Sequence, residues 1–276
     1  MPIIRPTARK MVDTCFPGVG QVYRTLRDQW ISRAAPKPTP FGFLLAGNSS
    51  MAGGGFESDE AGEIAVFSEL IQGAVACLDV GANIGFYTCL AASLGKHVVA
   101  VEPLASNLKL LYANLVANDF LDVEVFPLGL SDKGGIKRLY GRGTAASFVS
   151  GWAGTPAKDY EVVPVTTLDA ITNLRFAGLP IFIKMDVEGF ENEVLQGAET
   201  ILQSHPKPVW LVEVCLNEHF PGGLNHKFCD TFATFWRHGY QASVADPSGR
   251  PVSPADVSRW AQNGRVDFGS HNYIFR

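Results

Sequence analysis

Two stretches of this chain carry residue types at spacings that could do chemistry: Asp79-Val80-Gly81-Ala82-Asn83-Ile84-Gly85 and Lys184-Met185-Asp186-Val187-Glu188-Gly189. In the first, an apolar run from Ala74 to Leu78 enters a glycine turn, and a helical pattern from Phe86 to Leu94 leaves it. A strand that turns tightly into a helix sets backbone N–H groups and the positive end of the helix at the strand's carboxyl end, where a ligand can be held. Gly81 and Gly85 stand as G-x-x-x-G behind an acid, whereas a dinucleotide fingerprint needs G-x-G-x-x-G. An acid two residues before the first glycine suits a ligand with an amino group and a positive charge better than one with a pyrophosphate.

A second acid sharpens that reading. Glu102 closes the run His97 to Val101, 23 residues after Asp79, where a carboxylate can accept both hydroxyls of a ribose. A nucleoside that also carries a positive charge is S-adenosylmethionine, with Asp79, Gly81, Asn83 and Gly85 as its cradle. Ser131 and Asp132 follow the next strand, where either side chain, or the backbone at Leu130, can bond an adenine amine. An ordinary Ser-Asp-Lys-Gly turn is the competing reading there.

In the second stretch, strand alternation sends Ile181, Ile183 and Met185 to one face and Phe182, Lys184 and Asp186 to the other, with Glu188 beyond. A lysine inside a parallel sheet is out of place unless it is paired or working. Glu213, on the following strand, reaches a similar depth and can meet Lys184 or Asp186. Lys184 then reads as half of a structural ion pair, and Asp186 and Glu188 as the border of the reacting end. Asp186, Glu188 and Glu213 also offer oxygens to Mg²⁺, but no further ligand stands in register and no metal ligand is assigned. Among the histidines placed at the ligand end of the sheet, His219 is the candidate proton acceptor, against the reading of a plain surface histidine.

The elements that must position these residues alternate. Strands are expected at about 75–80, 97–101, 122–127, 181–186, 208–214, 240–245 and 270–275. Helices are expected from near Ser58 and at about 84–94, 104–118, 167–174, 189–203 and 224–238. That rhythm calls for an α/β fold with a mostly parallel sheet and helices on both faces. One connection, about 133–168, is too long for a turn and reads as a strand pair, Gly135 to Tyr140 and Glu161 to Thr166. The Gly/Ala/Ser-rich stretch between them is either a substrate lid or a surface insertion. Residues 1–55 form an N-terminal extension, with an amphipathic helix from about Gly18 to Ser32 and a stiff Pro36 to Pro40 link, and 56–276 form the main domain.

Composition excludes other classes. Hydrophobic residues make up 46% and charged residues 18%, as in a folded globular chain, and the net charge of −4 without a basic run argues against nucleic acid. The five cysteines form no C-x-x-C pair, so neither a zinc motif nor a disulfide framework is expected. With no apolar run near 18 residues and no signal peptide, a cytoplasmic protein without a membrane span is expected.

Several pieces together resemble the FkbM-type methyltransferase family of class I S-adenosylmethionine-dependent enzymes. They are Asp79 to Gly85, Val101-Glu102-Pro103, Leu128 to Asp132, Thr167-Leu168-Asp169, Ile183 to Gly189 with Glu191, and Leu195 to Ala198. The resemblance implies a Rossmann-like seven-stranded sheet with its last strand antiparallel. It also implies methyl transfer to a hydroxyl of a sugar, glycolipid or polyketide-like natural product, a small-molecule or glycan acceptor. A nicotinamide-dependent oxidoreductase and a non-catalytic nucleoside-binding module of the same fold are the alternatives.

Overall fold

The structure, a computed structural model, describes residues 35–47 and 58–276. The helix expected at 18–32 lies outside them. The first described elements are a two-residue strand pair, β1 (Lys37–Pro38) and β2 (Leu44–Leu45), which docks on a later helix. Asn114 of that helix and Asn118 at its C-terminal end hold the backbone of Ala46 and Leu44 through paired amide hydrogen bonds of 2.6–3.1 Å.

Alternation then begins with α1 (Ser58–Leu70), β3 (Ala76–Val80), α2 (Phe86–Ser93), β4 (His97–Val101), α3 (Ala105–Ala117) and β5 (Glu124–Phe126). After the long connection come β9 (Ile181–Met185), α5 (Glu191–Gln196), α6 (Glu199–Leu202), β10 (Val209–Glu213), α7 (Phe228–Arg237), β11 (Ala242–Val244), β12 (Pro251–Val252), α8 (Pro254–Asn263) and β13 (Asn272–Phe275). The main sheet runs β12-β11-β13-β10-β9-β3-β4-β5. Neighbours from β10 to β5 are parallel, and β13 is antiparallel to both β10 and β11. All seven expected strands are present, the last antiparallel, and the fold is the Rossmann-like α/β class. β12 is an eighth strand, added at the edge.

Alternation along the strands builds two cores. Leu78, Val80, Ile183 and Met185 pack under α5 and α7, while Cys77, Phe182 and Leu211 pack under α1, α2 and α3. The split of Ile181, Ile183 and Met185 from Phe182 follows the expected pleat. Among the described residues, no helix is long and apolar enough to cross a membrane.

The long connection holds a second sheet. β7 (Gly135–Tyr140) and β8 (Tyr160–Thr166) pair antiparallel, and β6 (Gly129–Leu130) joins β8 in parallel, making three strands rather than two. α4 (Leu168–Thr172) follows, capped by the Thr167 hydroxyl. Two departures from the sequence reading have physical causes. The helix expected at 189–203 breaks at Gly197, where a side chain would meet the Ser131 carbonyl at 2.2 Å, so the turn must approach that backbone closely. α8 was not read from the sequence, although a full capping box, Ser253 with Asp256 and Pro254 at the first helical turn, starts it.

Candidate functional site

The carboxyl ends of β3, β4 and β9 converge on the first glycine turn. Gly81 and Ala82 donate to the Val101 carbonyl, and Asp186 donates to the Val80 carbonyl at 2.9 Å. This closeness demands glycine: at Gly81, with φ of 84°, an added Cβ would lie 1.8 Å from the Asp186 carbonyl oxygen. Gly85, with φ of 89°, starts α2, and its Cβ would lie 2.3 Å from Leu111 of α3. Both glycines are therefore packing positions as well as turn positions.

Between these strand ends and the connection lies a cleft. Gly81, Asn83, Glu102, Asp186 and Glu188 line it, with Leu130, Leu139, Gly143, Thr144 and Ala146 to Phe148. Three carboxylates and no lysine or arginine face it among the described residues. Glu102 is 5% exposed and already accepts three donors: Asn83 N–H and Leu104 N–H at 2.8 Å, and the Asn107 amide at 3.3 Å. Burial nonetheless pushes its carboxyl up to about 7. Asn83 sits at φ 52°, and its side-chain carbonyl is buried without a hydrogen-bond partner. A buried acceptor left open costs free energy unless a ligand fills it.

Other predicted residues stand behind this cleft. Asp79 is 1% exposed and accepts the Thr88 hydroxyl at 2.5 Å; burial raises its carboxyl, opposed by Lys184 and Thr88. Ser131 is buried and donates to Asp132 at 2.7 Å, which holds the Asp132 carboxyl below its ordinary value. Neither Ser131 nor Asp132 lines the cleft; Gly129 and Leu130 do.

Lys184 is 3% exposed, bonds Asp186 at 3.1 Å and lies 4.5 Å from the centre of the Tyr87 ring. Burial works against its charge, yet Asp186, Glu63, Asp79 and Glu213 together hold the ammonium above its ordinary value. One cation thus serves several acids. The charge of Asp186, with burial, pushes Glu213 well up. Burial and then Asp186 push Glu188 up to about 8, and a hydrogen bond from Trp152 restrains the rise.

Glu188 is held in an unusual way. Its φ of 54° is left-handed, a strained region for a long side chain. Ser147 donates its hydroxyl to the Glu188 carbonyl at 2.6 Å, and the Trp152 indole N–H donates to Glu188 Oε2 at 2.9 Å. Gly189 follows at φ 89°, where a Cβ would strike the Trp152 ring at 2.5 Å. Ser147 and Trp152 are 1% exposed, so the connection is a packed wall of the cleft rather than a loose loop. Sequence reading did not single them out. A tryptophan within a Gly/Ala/Ser-rich stretch was the available signal. Glu191, buried beneath, accepts Gly189 N–H at 2.9 Å, and burial pushes its carboxyl up to about 8.

His219 lies outside the cleft. It is exposed at φ 65°, with its ring 5.6 Å from that of Trp152, so the indole stands between it and Glu188.

The donor set fits a nucleoside with a positive charge: a buried carboxylate and an open amide oxygen at one end, acids at the other, and no cation to meet a pyrophosphate. Comparison with known proteins adds an independent line. The FkbM methyltransferase domain matches residues 79–242, more than half of the chain. No curated protein matches in sequence. Similar solved structures include a TehB-like S-adenosylmethionine-dependent methyltransferase from Corynebacterium glutamicum, 13% identical, covering 78% of this chain and 85% of that one with a TM-score of 0.41. An O-methyltransferase from Bacillus cereus in complex with S-adenosylhomocysteine is 14% identical, with 98% and 96% coverage and a TM-score of 0.39. An rRNA methylase from Streptococcus thermophilus is 9% identical, with 80% and 95% coverage and a TM-score of 0.38. The family match sets aside both the nicotinamide oxidoreductase and the non-catalytic module. The chain belongs to the FkbM methyltransferase family and is an enzyme that uses S-adenosylmethionine.

Proposed function

We propose that the protein transfers a methyl group to a hydroxyl oxygen of a small-molecule or glycan acceptor, of the sugar, glycolipid or polyketide-like kind, with Glu188 as the proton acceptor. The observation that carries this reading is the Glu188 carboxyl at the cleft, bonded by the Trp152 indole and pushed by burial up to about 8, so that its ionised form, a minor fraction at neutral pH that grows as pH rises, is a strong proton acceptor. S-adenosylmethionine, when bound, supplies an electrophilic methyl on a positively charged sulfur. That charge disappears in the reaction, so the protein's main tasks are positioning and removal of the hydroxyl proton.

Each task has residues. Gly81 and Asn83 shape the cradle, the one acceptor site left on Glu102, at Oε2, takes a ribose hydroxyl, and the Leu130 backbone with Phe148 borders the base. Leu130 replaces Ser131 and Asp132 in this role because their side chains bond each other away from the cleft. Glu188 accepts the acceptor's proton as the oxygen attacks, and Asp186 is held beside it by Lys184. His219, behind Trp152, is a less suitable base than Glu188.

The acid-lined cleft supports a neutral acceptor over a polyphosphate one, because an RNA backbone would meet Asp186 and Glu188 rather than lysines. The test uses S-adenosylmethionine labelled with ¹³C at the methyl and a panel of methyl glycosides, macrolide aglycones, their amino counterparts and total tRNA. The reading requires an O–CH₃ ether resonance. Label found only on nitrogen or in the tRNA would overturn it.

A further inference from the structure

A second group of ligand-type side chains lies beyond the cleft, on the loop after β10 and at the start of β13. Cys215 Sγ, a Glu218 carboxylate oxygen and a His271 ring nitrogen all lie within 4.8 Å of one another. The sheet fixes this meeting: Glu213 pairs with Asn272, and Val214 N–H donates to the His271 carbonyl at 2.7 Å. We propose that Cys215, Glu218 and His271 bind a zinc ion that ties the loop after β10 to the antiparallel strand β13.

Two further observations point to an unfilled ligand position here. The His271 Nδ1 atom is buried with no hydrogen-bond partner, although the same ring's Nε2 meets Glu218 at 2.6 Å. Tyr273, fully buried two residues on, has a hydroxyl with no hydrogen-bond partner.

Sulfur, nitrogen and carboxylate oxygen form a set that zinc accepts and Mg²⁺ does not. A tetrahedral zinc sets such atoms roughly 3.5 Å apart, so on binding the wider separations close while the Glu218–His271 pair, at 2.6 Å, opens. The site is reachable, since the side chains of Glu218 and His271 are 52% and 24% exposed. Three protein ligands leave a fourth position for water.

The loop so tied matters to its neighbour. Glu218 precedes His219, whose carbonyl accepts Ala153 N–H at 2.8 Å, and Ala153 follows the Trp152 that bonds Glu188. A cation at Cys215 therefore anchors the support behind Trp152. The inference does not depend on which acceptor is methylated or which group is its base.

The test is a Co²⁺ titration of the metal-stripped full-length protein, followed by absorption. One equivalent is expected to give a thiolate-to-cobalt charge-transfer band that Zn²⁺ abolishes. Cys215→Ser should remove the band, and Glu218→Gln or His271→Gln should weaken Co²⁺ binding by about tenfold or more. Zn²⁺ at a hundredfold excess over its Kd should raise Tm by about 5 °C. Absence of saturable binding, or a band that survives in Cys215→Ser, overturns the proposal. If Cys215→Ser does not fold, the half-exposed Glu218→Gln variant decides, because unchanged affinity there overturns it equally.

Discussion

Replacing Trp152 by phenylalanine isolates the hydrogen bond that restrains Glu188. Phenylalanine keeps a ring against Phe220, 4.7 Å from the indole, but loses the N–H that donates to Glu188 at 2.9 Å. A hydrogen bond to a charged group contributes about 1.5–3 kcal/mol, and one pKa unit corresponds to about 1.4 kcal/mol, so its loss moves the carboxyl by about 1–2 units. The bond favours the ionised form, so the shift is upward. From about 8, the inflection of kcat/KM should move to about 9–10. At pH 7 the ionised fraction then falls roughly tenfold to a hundredfold, and kcat/KM with it, while the two enzymes converge above pH 10. The assay is labelled-methyl transfer to an acceptor from the panel across pH 6–10, with Tm recorded as a folding control. A uniform loss of rate with an unmoved inflection would show that Trp152 only packs, and the reasoning about Glu188 would fail.

Stability should also depend on pH in a direction that the buried acids fix. Glu102, Glu188 and Glu191 are raised from 4.5 to about 7, 8 and 8. The folded state therefore holds more protons than the unfolded state between those values, and stability falls as pH rises from about 5 to 8, then levels. Calorimetry at pH 5.5 and 8.5 checks this; a higher Tm at 8.5 would contradict it. His219→Asn keeps a residue that tolerates the local φ of 65°. It should change turnover by less than about fivefold across neutral pH, against the 10²–10⁴-fold that loss of a general base brings.

The parts of the site legible in the sequence were those encoded locally. Asp79 to Gly85 announces a strand, a turn and a helix within seven residues, and Glu102 ends the adjacent strand, so spacing alone joins them. Lys184 was legible as an oddity because a parallel interior strand should be apolar, and its pairing with Asp186 follows from positions two apart on one face. What alternation could not say is how far a side chain reaches. Asp79 turns inward to Thr88, and Ser131 turns to Asp132, because buried polar groups take the nearest partner.

The rest depends on contacts distant in the chain. Trp152 and Ser147 reach Glu188 across 36 and 41 residues, and nothing in a Gly/Ala/Ser-rich stretch foretells that meeting. Cys215 and His271 are brought together by the antiparallel β13, so their separation matches no ligand spacing that can be read along a sequence. α8 is a different case: its capping box was present in Ser253 to Asp256, but the apolar pattern after it is short.

The central claim is that the cleft between Gly81, Glu102 and Glu188 holds the S-adenosyl group. Calorimetric titration with S-adenosylhomocysteine tests it most directly, on the natural chain and on Glu102→Ala. The account predicts 1:1 binding that weakens about tenfold or more in the variant, since a carboxylate hydrogen-bonded to ligand contributes about 1.5–3 kcal/mol. A folded protein that binds no S-adenosylhomocysteine, or a Glu102→Ala variant with unchanged affinity, would contradict it.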